Sequence, residues 1–159
     1  VLQMIAHGFV VVGLFFAAEI IYRRYETRKI TEMGGIRAQT PKFTSMFMIL
    51  VLASVALPST FNFVGEFTVL YSLSQINIWF AILGGTTIIL GAYYMLKMFQ
   101  HVMLGETNTK LFADVTFYEG LTLVIIIAIL FFFGLYPKPI MELISPSLEN
   151  ILTQINRFN

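Results

Sequence analysis

The sequence predicts an all-α fold: a polytopic bundle of about four transmembrane helices, the second of them broken near Pro58, followed by a short C-terminal amphipathic helix. Three observations lead there. Hydrophobic residues make up 57% of the 159 positions and charged residues 12%, about half the roughly 25% charged that is usual in soluble domains. The mean hydropathy is +0.79, more apolar surface than a soluble chain of this size can hide. The apolar residues also gather into runs of about 20, the length that crosses a hydrocarbon core. Buried helices of a large soluble protein are the rival for any single run; a succession of such runs argues against it.

The first run covers about 1–22 and carries no charge before Glu19. Val1 lies inside it, which reads as a start within a longer chain. The second covers about 43–74 and holds one charge, Glu66. In its middle stands Leu57-Pro58-Ser59-Thr60-Phe61-Asn62-Phe63-Val64-Gly65. Pro58 removes a backbone donor and clashes with the preceding turn; Asn62 and Gly65 add polar and flexible positions. This reads as a broken helix, which lipid tolerates only where protein or a water-filled cavity satisfies the freed backbone. The third run, about 77–100, is uncharged from Ile78 to Leu96. The fourth, about 117–136, is uncharged from Gly120 to Tyr136, with Val115 to Tyr118 able to lengthen it. Pro137 and Pro139 end that span. Leu148, Ile151, Leu152, Ile155 and Phe158 then recur at helical spacing. With Pro146 suited to a first turn, they predict a helix over about 146–158, lying at the interface or against a partner. Residues 1–159 read as one membrane unit.

The charges are sorted among the connections. The 22–42 loop holds Arg23, Arg24, Arg28, Lys29, Arg37 and Lys42 against Glu26 and Glu32; the turn at 75–77 has none; the 100–117 loop holds Glu106, Lys110 and Asp114; the tail carries Lys138 and Arg157. Short loops rich in Lys and Arg stay on the inner side, which places 22–42 in the cytoplasm or mitochondrial matrix. Net charge is +1, without the basic excess of a nucleic-acid binder. There is no Cys, hence no disulfide, thiol nucleophile or Cys-based metal site.

Ionisable groups within a span are expensive, about 2.5–3.5 kcal/mol each on insertion scales. Glu19 precedes Arg23 by four residues, a favourable helical pair near the inner end. Lys97, at the inner end of the third span, can snorkel, and His101 is one turn further out. His7 and Glu66 differ. His7 is about 15 residues from the inner end of its helix, roughly 22 Å at about 1.5 Å per residue. Glu66 is roughly 30 Å beyond Phe43 on an antiparallel span. Both fall in the outer half of the bilayer. Alone, a histidine on an apolar face reads first as a satisfied structural residue; a carboxyl this deep has no such easy account. Imidazole titrates near neutrality, and desolvation brings carboxylic acids toward the same range, so the pair forms a candidate proton path. Broken helices near the midplane recur at ion sites of transporters, and Glu66 follows the break at once.

These residues carry a resemblance. Gln3-Met4-Ile5-Ala6-His7-Gly8, Thr27-Arg28, Met33-Gly34-Gly35, Leu57-Pro58-Ser59-Thr60 through Phe63-Val64-Gly65-Glu66-Phe67, and Gly134-Leu135-Tyr136-Pro137-Lys138-Pro139-Ile140 resemble, in that order, the M-type (chain 4) antiporter-like membrane subunits of NADH:quinone oxidoreductase, respiratory complex I. The resemblance covers essentially the whole chain and looks like the last four of that family's 14 spans. The stretch ending Gly65-Glu66-Phe67 is its most specific part. It implies that Glu66 ends a central chain of protonatable groups on the outer side, that His7 faces the same polar axis, and that a Glu and two Lys on earlier helices complete the path, so this piece does not pump alone. The family often has Gly where Ser59 and Asn62 stand and a small residue where Phe61 stands, which leaves the flexibility of the break open.

The function so implied is proton translocation through protonatable residues, coupled to electron transfer from NADH to quinone in other subunits. NADH, FMN, iron–sulfur clusters and quinone are expected on partner subunits and no cofactor on this chain, which has no phosphate-binding glycine loop, dinucleotide fingerprint or Ser/His/Asp set and no haem or iron–sulfur ligand set. Other complex I membrane subunits, neighbouring antiporter-like ones included, and the lipid bilayer are the expected partners. The expected location is the bacterial inner membrane, or the mitochondrial one if organellar. A subunit of a multi-subunit sodium/proton antiporter is the alternative; those proteins usually carry Lys where Glu66 stands. A structural membrane anchor without transport is a third reading, and it predicts that neutralising Glu66 is harmless.

Overall fold

The computed structural model describes residues 1–105 and 112–158, without the side chains of residue 152 and residues 155–158. Glu106 and Lys110, counted above in a loop, lie outside the described residues, as do the side chains of Leu152, Ile155, Arg157 and Phe158. Six α-helices follow one another: α1 (Leu2–Tyr25), α2 (Pro41–Ser54), α3 (Phe61–Ile76), α4 (Ile78–Phe99), α5 (Phe117–Leu135) and α6 (Lys138–Phe158). Two short 3-10 turns, Ile30–Glu32 and Ile36–Ala38, join α1 to α2, and α4 runs on into a π turn over Gln100–Leu104. Three helices, Leu2–Tyr25, Ile78–Leu104 with its π turn, and Phe117–Leu135, are long and apolar enough to cross a membrane. The predicted second span is divided into α2 and α3, neither long enough to cross alone.

α1 packs against α2, α3 and α5. Its buried face reads Leu2, Ala6, Val10, Gly13, Ala17, Ile20, a stripe of three- and four-residue steps that is small in its middle. Between lipid-solvated helices, close backbone approach is what small residues supply. Outward faces stay apolar: Phe67, Trp79, Leu83, Leu90 and Tyr93 are exposed, a surface suited to hydrocarbon.

The basic ends are tied together. The Arg24 Nη2 and Glu119 Oε2 atoms are 2.8 Å apart, and Arg24 also donates to the Asp114 carbonyl at 3.2 Å. Asp114 accepts from the backbone N–H of Phe43 (3.1 Å) and Lys42 (3.3 Å), so the loop before α5 caps the start of α2. Thr40, the residue in capping position, has its hydroxyl engaged with the Ile36 carbonyl at 2.9 Å. Glu19 and Arg23 pair at 2.8 Å as expected, and Lys97 donates to the Tyr93 hydroxyl at 3.1 Å.

Two expectations change. Val115 does not lengthen the fourth span: Thr116 caps α5 in a capping box with Glu119. The last helix begins at Lys138, not near 146. The Pro137 carbonyl accepts from Ile140 and Met141 (3.2 and 3.1 Å), so helix restarts at once, and Pro139 occupies the first turn, where its missing N–H is no loss. Pro146 then falls inside α6 instead of opening it. Ile140 and Ile144 pack on the core, while Leu143 and Ile151 are exposed.

Candidate functional site

The break between α2 and α3 is a built turn. α2 ends in a Schellman arrangement: Leu57 N–H reaches the Leu52 carbonyl (3.0 Å) and Ala56 N–H the Ala53 carbonyl (3.3 Å), with Ala56 in the left-handed region at φ 57°. A second turn follows directly. Thr60 N–H donates to the Leu57 carbonyl at 3.1 Å, Pro58 supplies the first corner, and Ser59 the second at φ 78°, the pattern of a type II turn. α5 backs this segment. A Cβ added at Gly134 would run into the backbone of Ser59, Thr60 and Phe61, and Phe133 meets Phe61 at 5.5 Å between ring centres.

The polar cluster grows from that turn. Asn62, buried in the first turn of α3, donates to the Ser54 carbonyl at 3.4 Å, a group the break leaves unpaired, and to Glu66 Oε1 at 2.8 Å. Gln3 of α1 donates from Nε2 to Asn62 Oδ1 (3.1 Å) and Glu66 Oε1 (3.3 Å). A Cβ at Gly65 would collide with Gln3 Oε1 and stand 2.8 Å from Gln3 Cα, so glycine there is what admits the Gln3 side chain. Gln3 Oε1 is buried and unpartnered among the described residues, at about 1–3 kcal/mol for such a group.

Glu66 is half-buried, and His7 is exposed on α1 one turn after Gln3. Gln3, His7 and Glu66 line one cavity of about 480 Å³ between α1, α3 and α4, to which Thr87 and Tyr94 contribute from α4. This is room for several waters among polar partners. His7 makes no direct hydrogen bond with the described residues. The two predicted site residues thus share a wall of one cavity, without direct contact. Gln3 lines the same cavity and Asn62 bonds Glu66 without lining it, whereas Glu19, Lys97 and His101 are not on its wall. Asn62 was visible in the sequence as a polar position at the break. Gln3 stood in the sequence only as the first residue of a motif carrying the resemblance, and its role was not marked, since its partners are 59 and 63 residues away. Among the described residues no group of three or more His, Asp or Glu side chains is arranged to hold a metal ion.

The architecture defines a class: a polytopic helical membrane protein in which a broken apolar stretch carries a carboxyl to a cavity between helices. Residues 1–91, more than half of the chain, match the family described as NADH:quinone oxidoreductase/Mrp antiporter, transmembrane; the chain belongs to that family. It is similar to subunit M of NADH-quinone oxidoreductase from Rickettsia typhi, 41% identical over 155 residues, covering 96% of this chain and 31% of the relative. Subunit M of Mycobacterium tuberculosis strain H37Rv is 33% identical over 159 residues, 98% of this chain and 29% of the relative. Respiratory complex I from Thermus thermophilus with bound NADH contains a chain that superposes with a TM-score of 0.81 at 29% identity, covering 86% of this chain and 29% of that one. The chain spans about a third of the length of the curated relatives it matches.

Proposed function

We propose that this chain is part of the proton-translocating membrane subunit M of an NADH:quinone oxidoreductase, and that Glu66, with His7, carries protons through it. The observation that supports this most is the placing of the carboxyl. Glu66 stands one turn into α3, held by two amides beside a built break, on the wall of a cavity it shares with an imidazole. A carboxyl serving only packing would need neither the break nor the cavity. The matching relatives bear the name of subunit M, which favours this reading over a sodium/proton antiporter.

In this reading water in the cavity brings a proton to Glu66 or takes one from it. His7, able to hold a proton on either ring nitrogen, relays between that water and groups elsewhere in the subunit. The driving reaction belongs to partner subunits, where NADH, FMN, iron–sulfur clusters and quinone bind. Partners are the other membrane subunits of the complex, neighbouring antiporter-like ones among them, in a bacterial inner membrane or its mitochondrial counterpart. The 22–42 loop faces the cytoplasm or matrix.

The test uses the intact complex in sealed vesicles. Glu66→Gln removes NADH-driven proton uptake and slows NADH:quinone turnover, because the two are coupled, while Glu66→Asp retains part of both. Normal assembly of Glu66→Gln with both rates at wild-type level would instead make the chain a structural anchor.

A further inference from the structure

The carboxamide of Gln3 is half used. Its Nε2 donates twice, to Asn62 and to Glu66. Its Oε1 is buried and accepts from none of the described residues. Buried polar atoms are satisfied in the great majority, so an idle one asks for an account. Space for this group is specifically provided: it lies where any side chain at position 65 would be, against α3 between Asn62 and Glu66. Packing alone is served by an apolar residue in that gap, and fixing a carboxylate is served by any donor. An amide offers something else, a donor and an acceptor on one flat group.

Glu66 has two forms if it carries protons. The carboxylate only accepts hydrogen bonds, whereas the acid has an O–H to donate. The terminal torsion of Gln is broad, so the same flat group can present either end to Glu66, at the cost of its bond to Asn62 when it turns. Resting on the proton-path reading of Glu66, we propose that Gln3 is the positioning residue of that carboxyl in both forms: Nε2 donates to the carboxylate, as observed, and a turn of the amide brings Oε1 to accept the O–H of the acid. The proton arrives from cavity water and leaves by it, and Gln3 neither gains nor loses one. The carboxyl thereby stays beside the break throughout the cycle instead of swinging free.

Infrared difference spectroscopy on the intact complex in sealed membranes tests this. The C=O stretch of protonated Glu66 is the band that Glu66→Gln abolishes. In Gln3→Leu, which keeps bulk but neither donates nor accepts, that band moves to higher wavenumber, and proton uptake per NADH oxidised falls several-fold. Gln3→Met serves where Gln3→Leu assembles poorly. Loss of pumping and of the band in Glu66→Gln, with band and pumping unmoved in both Gln3 variants, overturns the role of Gln3 and leaves the proton path standing. Wild-type pumping in Glu66→Gln with no band lost overturns both.

Discussion

Ala56 and Ser59 hold left-handed backbone at φ 57° and 78°, where an L side chain costs about 1–2 kcal/mol. The break is therefore held in shape against a local preference, by its turn hydrogen bonds and by α5 behind it. Ser59→Gly removes one penalty, and thermal dissociation of the membrane subunits should show stabilisation of about 1 kcal/mol with proton uptake retained. Gly134→Ala should do the reverse. Its Cβ meets backbone, not a side chain that can step aside, and overpacking of this kind costs about 1–3 kcal/mol, read as a lower midpoint or reduced assembly. Pro58, Gly65 and Glu66 were legible as a broken helix with a carboxyl beside it, because each acts through its own backbone or charge. Which residue Gly65 makes room for was not legible, since that depends on how α1 lies against α3.

Among the helices, α1 and α5 are tied by an ion pair that is mostly buried. Arg24 and Glu119 side chains are only 15% and 20% exposed, and the guanidinium also bonds a carbonyl and lies 5.3 Å from the centre of the Phe112 ring. Glu119→Gln should weaken the bundle by about 1.5–3 kcal/mol, the range for hydrogen bonds to charged groups. Arg24→Lys should recover little of an Arg24→Ala loss, because an ammonium has neither the flat fork nor the stacking face. Subunit retention in the complex at rising detergent concentration measures both. Helix order and extent were well marked by the apolar runs. The last helix was not, because a proline ends one helix and opens the next with the same chemistry; Pro137 and Pro139 do both, and only the path of the chain tells which comes after Tyr136.

Across the whole molecule, the ends of α1, α4 and α5 near the basic loop meet the start of α2, while the α3–α4 turn lies at the opposite end. The orientation proposed from the loop charges is open to a direct check. The chain has no Cys, so single cysteines report on it alone. A membrane-impermeant maleimide should label Lys29→Cys in inside-out vesicles and Gln75→Cys in right-side-out ones, and the opposite pattern would invert the topology. The capping of α2 by Asp114 bears on the order in which the chain is made. The carboxylate lies 71 residues after the Phe43 amide it satisfies, and Glu119 lies 95 after Arg24. At about 5–20 residues per second of synthesis, the start of α2 waits roughly 4–14 s for its cap, and the α1 guanidinium waits longer for its carboxylate. Until α5 is made, the nascent chain carries uncapped backbone and a cation without its carboxylate at the end of the bundle that holds the 22–42 loop, so a ribosome stalled before Asp114 leaves that end incomplete.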